Sequence, residues 1–319
     1  MHGRGSELKL DIKRTLLKYN TFRRIVQLLS FIFLSAIVFN LGALPLLLPV
    51  LWTWGLPQNT AGDAFTAFQL ALSDWKGIYF AFPWLALASF LLAGVLIGKS
   101  MCGWVCPFGF IQDLVGFIKR KKMEFSPRNH GNALYTKYGI LAIALFVSLT
   151  FGTTKIMGIA SGYEKALGII AIAPFTALSP AETLFAILPR GILDIRNELL
   201  AKPFADVLLE VSGIPVLFWV QFGLVVGVLV FVAYVPRGWC RYLCPHGAIM
   251  AVMNRFSFLG LRREPFKCEK GGCRSCVEAC PMRVPILDLP WEKFNHEECI
   301  YCMKCVDACE NNAIKLKYP

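Results

Sequence analysis

Residues 268–281 read CEKGGCRSCVEACP, and residues 299–310 read CIYCMKCVDACE. Eight of the twelve cysteines of the chain fall in these two runs, and their spacing decides what the C-terminal segment is. A cubane iron–sulfur cluster needs four thiolates at the corners of a small solid. Three come from one tight run, and the fourth is the last cysteine of the neighbouring run. The ligand sets therefore cross. Cys268, Cys273, Cys276 and Cys309 are expected around one 4Fe-4S cluster, and Cys299, Cys302, Cys305 and Cys280 around a second. The first run departs from the usual spacing, with four residues between Cys268 and Cys273 where two are common, so a wider loop is expected at Gly271 and Gly272. Glu310 stands where proline often follows. Structural zinc, the competing use of such cysteines, prefers separated pairs around a single tetrahedron.

Outside the tail the 319-residue chain is apolar, with 56% hydrophobic residues and a mean hydropathy of +0.54. Four stretches approach the ~20 apolar residues that a membrane-crossing helix needs: Ile25 to Leu51, Ile78 to Gly98, Tyr138 to Thr153 and Ile214 to Val235. The first follows Lys13, Arg14, Lys18, Arg23 and Arg24 and reads as an uncleaved anchor rather than a signal peptide, being long and without a clean small-residue cleavage site. Basic residues gather at the N-terminus, at Lys119 to Lys122 with Arg128 and Lys137, and at Arg237, Arg241, Arg255, Arg262 and Arg263. By the positive-inside rule these regions face the cytoplasm, and both termini with them. The net charge of +12 is thereby accounted for without nucleic acid.

The expected fold class is a membrane all-α protein of four transmembrane helices, arranged as two duplicated helix pairs, with a small C-terminal α+β ferredoxin-like domain of the bacterial two-cluster type. The expected divisions are a basic cytoplasmic N-terminus over 1–24, a membrane domain over 25–263 and the ferredoxin-like domain over 264–319. The expected location is a bacterial-type inner membrane. The outer segment from Leu167 to Leu209 is apolar but interrupted by Pro189, and suits either the membrane interface, roofing a lipid-soluble substrate, or packing on the helices. Ionisable residues are missing from the interiors of all four spans, and with them the buried relay of a proton pump. Covalent haem is excluded because no C-x-x-C-H occurs, and four histidines leave little for haem ligation.

The duplication rests on MCGWVCPFGFI after the second span and WCRYLCPHGAI after the fourth. Cys102 and Cys106, like Cys240 and Cys244, are four residues apart and would share a helix face. Soft thiolates so placed suit a third cluster, copper or another soft metal, thiol redox chemistry, or plain packing. His246, where the first half has Phe108, is a candidate hydrogen-bonding partner for a quinone or a ligand, with a local polar contact as the alternative. Trp52, Trp54, Trp75, Trp84 and Tyr79 fit an aromatic belt as well as a quinone contact. No catalytic residue stands out.

Together, the four spans, the two C-x3-C-P motifs and the tandem cysteine tail resemble the NapH-type membrane iron–sulfur proteins over nearly the full length. That group is associated with passing electrons from quinol toward periplasmic nitrate reduction. Its wider relatives serve nitrous-oxide respiration, methylamine utilisation and oxidase assembly. The resemblance implies a quinol dehydrogenase subunit working with the quinone pool, membrane lipid and a partner iron–sulfur protein or cytochrome. It places the motif cysteines on Cys102, Cys106, Cys240 and Cys244 and the cluster ligands on the eight C-terminal cysteines. The alternatives are a copper reductase of oxidase assembly and an iron–sulfur redox sensor or assembly scaffold without turnover.

Overall fold

The structure, a computed structural model, describes residues 19–34, 83–118, 126–167, 178–188, 216–269 and 272–318 and a few isolated positions. The rest of the first expected span, Trp52, Trp54, Trp75, Tyr79, the basic stretch Lys119 to Lys122 and most of the outer segment lie outside the described residues. The chain divides into two compact units.

One unit comprises residues 32–90 and 138–234. Its best-defined element is the helix Val216–Tyr234, which has no charged residue along its length. Gln221, Val225, Val228 and Val232 are its buried positions, and their four- and three-residue steps mark one face. Val216, Trp219, Phe222, Val226 and Val230 point outward and are exposed. An apolar helix with an exposed apolar surface is at home in lipid, where the backbone is satisfied within the helix. The helix Thr136–Ile156 follows the same rule, burying Ala144, Ser148 and Phe151 while exposing Ile143, Phe146 and Leu149. Thr150, Thr153 and Thr154 return their hydroxyls to carbonyls three residues back, which satisfies them within the helix. A short helical segment, Pro180–Glu182 continuing into a π turn over Thr183–Ile187, packs on the Val216–Tyr234 helix and buries Glu182 and Phe185.

Among the described residues two helices are long and apolar enough to cross a membrane, Arg128–Ile156 taken as a continuous run and Val216–Tyr234. Tyr19–Leu34 and Pro83–Ile97 have 16 and 15 residues. The rest of the spans expected there lies outside the described residues.

The other unit gathers residues up to Phe31, Leu91–Lys137 and Val235–Pro319. All twelve cysteines belong to it. Its tail has two strands, β1 (Gly260–Arg263) and β2 (Ile314–Lys317), paired antiparallel with Arg263 opposite Ile314. Short helices Ser275–Glu278 and Lys304–Asp307 lie within the two cysteine runs and carry Cys276 and Cys305. The core between them consists of Leu261, Met282, Ile286, Phe294, Ile300 and Ile314 with the cluster cysteines. Buried Arg263 donates to the carbonyls of Ile286, Leu287 and Leu289 and stacks on Trp291, which pins the connection between the runs.

Candidate iron–sulfur centres

The cysteine tail folds so that each crossed set lines its own cavity. Cys268, Cys273, Cys276 and Cys309 line an open cleft. Cys280, Cys299, Cys302 and Cys305 line a second space, walled by Val284, Phe294 and Tyr301. Cys273 is exposed, whereas Cys302 and Cys305 are buried, so the first set opens to solvent and the second lies beneath it.

Local backbone geometry suits thiolate. Arg283 and Asn312, each three residues past the last cysteine of a run, adopt φ of 54° and 49°. That turn brings the next amide back onto sulfur: Val284 N–H donates to Cys280 Sγ at 3.4 Å and Ala313 N–H to Cys309 Sγ at 3.3 Å. Tyr301 and Met303, flanking Cys302, also sit at positive φ, 47° and 58°. Non-glycine residues held in this region cost about 1–3 kcal/mol each, and such conformations concentrate where function demands them. Successive amides turned this way form the anion-receiving concavities that iron–sulfur sites use.

Burial holds the thiols of Cys299 and Cys305 well above the ordinary value, and neighbouring cysteines add to the shift. The same holds for Cys276 beside Cys268 and Cys309. Such sulfurs stay protonated alone and lose their protons to a bound cation, as metal ligands do. Among the described residues no three His, Cys, Asp or Glu side chains converge on a point as ligands of one ion would. The donor set, its spacing and its amide partners fit 4Fe-4S clusters.

The two C-x3-C-P motifs fold alike, though not as single helices. Cys102 lies in the helix Ser100–Trp104, and Cys106 is the N-cap of the next helix, Pro107–Val115. Cys240 lies in a π turn over Trp239–Leu243, and Cys244 caps Pro245–Asn254. The expectation of a shared helix face is therefore corrected. Proline pushes the residue before it to an extended conformation, ψ being 117° at both Cys106 and Cys244, and then starts a new helix at its first position. Each junction closes with a hydrogen bond five residues back, Cys106 N–H to Met101 O and Cys244 N–H to Trp239 O. Each also requires its glycine. A Cβ on Gly109 would meet Cys102 O at 2.9 Å, and one on Gly247 would meet Cys240 O at 2.9 Å.

The four motif cysteines come near enough that their thiols act on one another. Burial and the Cys240 sulfur push Cys106 and Cys244 well up, and burial holds Cys102 at about 11. This quartet touches the tail. Gly103 abuts Ile300, between Cys299 and Cys302, so closely that a Cβ there would lie 2.2 Å from Ile300 O. Trp104 donates its indole N–H to Tyr301 O at 2.8 Å. His246 is half-buried at the second position of the helix that Cys244 caps.

Several basic residues of the regions assigned to the cytoplasmic side are buried within the protein, and Lys99 joins them. Arg23, Lys99, Lys137, Arg237, Arg241 and Arg263 are all 2% exposed or less. Lys99 donates to Glu298 Oε2 at 2.8 Å, and Lys137 donates to Oε1 of the same carboxylate. Burial opposes both charges, yet Glu298 holds Lys99 at about 12, and the two ammoniums hold Glu298 at about 2. Arg237 makes a two-pronged pair with Asp113 at 2.9 and 2.6 Å and donates to Cys102 O at 2.6 Å. Arg23 reaches Asp113 at 2.9 Å, and Gln27, one turn further on, donates to Gly103 O at 2.8 Å. Asp113 is driven far below the usual carboxylate range against the pull of its burial, by Arg237 and then Arg23. Asn254, fully buried, accepts from Lys99 N–H and donates to the carbonyls of His296 and Cys299. The sequence signals for these pairs were faint: a lone acid in the apolar stretch FGFIQDLV and a glutamate beside Cys299.

The 4Fe-4S binding domain family matches residues 80–123 and 217–264, and the 4Fe-4S dicluster domain family matches 267–314. Among curated proteins the chain is 25% identical to the putative electron transport protein YccM of Escherichia coli, over 70% of this chain and 52% of that one. It is 28% identical to the methylamine utilization ferredoxin-type protein MauN of Methylobacillus flagellatus, over 84% and 77%. With the ferredoxin-type protein NapH of Haemophilus influenzae the identity is 25%, over 70% and 64%. The matches thus span between about half and three quarters of these relatives' own lengths. No solved structure matches. Cysteine sets, paired motifs and relatives agree: the chain carries 4Fe-4S ferredoxin-type domains and is similar to the ferredoxin-type proteins NapH and MauN and to NirI and NosR.

Proposed function

We propose that this protein is a membrane-bound electron-transfer subunit of the quinol dehydrogenase type, which oxidises quinol and delivers the electrons to a partner iron–sulfur protein or cytochrome of a respiratory or periplasmic reductase pathway. In this reading Cys268, Cys273, Cys276 and Cys309 hold one 4Fe-4S cluster, and Cys280, Cys299, Cys302 and Cys305 hold another. Cys102, Cys106, Cys240 and Cys244 hold a third. The observation that carries it is the contact between the buried quartet and the second set through Gly103 and Ile300, with the first set beyond it open to solvent. Three thiolate sites, one of them open to solvent at Cys273, would form a route from a membrane donor to a soluble acceptor.

Bound clusters supply one-electron steps that divide the two electrons of a quinol, whose two protons leave to water. The chain's residues do the rest. The proline-capped turns orient the quartet, Phe294 and Tyr301 keep water from the middle set, and the open cleft at Cys273 offers an exit. His246, beside Cys244, is the candidate hydrogen-bonding partner for the quinone head group. The topology proposed is four spans with both termini cytoplasmic, in a bacterial-type inner membrane. This is supported by the lipid-facing surfaces of Thr136–Ile156 and Val216–Tyr234.

The test is anaerobic purification in detergent, iron and sulfide quantification, and EPR after mixing with a menaquinol analogue. About twelve irons per chain, three cubanes of four, with signals that appear on mixing, are expected. Clusters that stay oxidised with quinol refute the donor and leave the sensor reading. About eight irons with copper retained by the quartet favours the copper reductase.

A further inference from the structure

The two halves of the repeat place a buried cation at the same position, three residues before the first cysteine: Lys99 before Cys102 and Arg237 before Cys240. Each is met by a carboxylate from elsewhere, Glu298 and Asp113. The repeat is broken at one further position. Gln112 stands six residues after Cys106, and its counterpart after Cys244 is Met250. Gln112 is 1% exposed and donates its amide N–H to Cys240 Sγ at 2.9 Å, reaching from the first half of the repeat to a cysteine of the second. The same amide nitrogen also approaches Phe108 O at 3.5 Å.

Charge around the quartet is unbalanced. Arg23, Lys99, Lys137 and Arg237 bring four buried positive charges, Asp113 and Glu298 two negative ones, and the difference is two positive charges (4 − 2). Arg241 adds another and turns toward Pro281 O, next to Cys280. Among the described residues the buried charges here are thus mostly positive, a setting that suits an anion close by. A cubane on four thiolates is such an anion, with about two negative charges when oxidised and one more when reduced. Lys99 lies close enough to the Cys102 and Cys240 sulfurs, and Arg237 to those of Cys240 and Cys302, to act on them electrostatically.

We propose that Gln112, Lys99 and Arg237 are positioning residues that raise the reduction potential of a cluster held by Cys102, Cys106, Cys240 and Cys244, making this site the electron-receiving station. Hydrogen bonds to sulfur and nearby positive charge both favour the more negative, reduced state. Cys240 is distinguished from the other three by its side-chain donor. The inference rests on the proposed third cluster.

The test is an EPR-monitored redox titration of the full-length protein in detergent, with iron counted per chain, comparing the unmodified protein with Gln112→Met, Lys99→Gln and Lys99→Arg. Gln112→Met puts in the residue the second half of the repeat already carries, at similar volume. About twelve irons are expected in it. One of three signals should titrate lower by about a tenfold step in the reduction equilibrium, about 59 mV for one electron, with the other two unmoved. Lys99→Gln should lower the same signal and Lys99→Arg restore it. If Gln112→Met loses iron, the Lys99 pair decides, and equal potentials in Lys99→Gln and Lys99→Arg overturn the proposal. Three unmoved signals in a twelve-iron Gln112→Met protein also overturn it. About eight irons in the unmodified protein, with the four cysteines open to alkylation, would overturn the third cluster itself.

Discussion

Gly103→Ala tests the junction between the motif cysteines and the tail. The added Cβ would lie 2.2 Å from Ile300 O, against 3.4 Å for ordinary contact, so one backbone must retreat by about 1.2 Å (3.4 − 2.2). Neither yields freely. Ile300 is 1% exposed in the core, and Tyr301 beside it is held at positive φ. Overpacking of a filled interior costs about 1–3 kcal/mol, and the retreat would stretch the Trp104 to Tyr301 bond, worth about 1 kcal/mol. A loss of about 2–4 kcal/mol follows, together with looser retention of iron by the Cys299 loop. Thermal unfolding of the anaerobic protein in detergent, followed beside iron content, measures both. Gly131→Ala is the control. Nothing lies within 4 Å of its Cβ position in the helix Pro127–Leu134, so it should be neutral or stabilise by about 0.5–1 kcal/mol. Equal unfolding temperatures and iron contents for Gly103→Ala and the unmodified protein would refute the close approach and the route drawn through it.

Glu298→Gln leaves two buried ammoniums without their carboxylate and should cost about 3–5 kcal/mol, whereas Lys137→Met leaves the Lys99 pair intact and should cost clearly less; unfolding midpoints of equal size would contradict the shared pair. Asp113→Asn strands Arg23 and Arg237, both 1% exposed, and should destabilise by a similar amount. A normal unfolding temperature for that variant would show the pairs to be dispensable. Cys276→Ser and Cys302→Ser should each remove about four irons while abolishing different EPR signals, and loss of the same signal in both would undo the crossed ligand sets.

Much of the site was legible in the chain because its chemistry is local. Cysteines three to five residues apart can share a cluster only through tight turns, and the spacing of the tail says so whatever the rest of the protein does. The prolines after Cys106 and Cys244 carried a second local message, a helix start, which overrides the face-sharing that four-residue spacing alone suggests. The apolar runs announced lipid-facing helices by the same economy, since hydropathy is a sum over neighbours in sequence.

What the tertiary structure alone decided is which charges are buried and by what they are held. Lys137 and Arg237 looked like members of an aqueous basic fringe, and nothing near them in sequence offers a partner. Lys99 and Lys137 find theirs 199 and 161 residues away in Glu298, and Arg237 finds Asp113 across 124 residues. A buried cation is stable where an opposite charge or a set of carbonyls approaches within hydrogen-bonding distance, and that approach is set by the packing of the N-terminal helix, the two motif turns and the cysteine tail against one another. Local sequence specifies the ligands, and long-range packing specifies the electrostatic field in which they work.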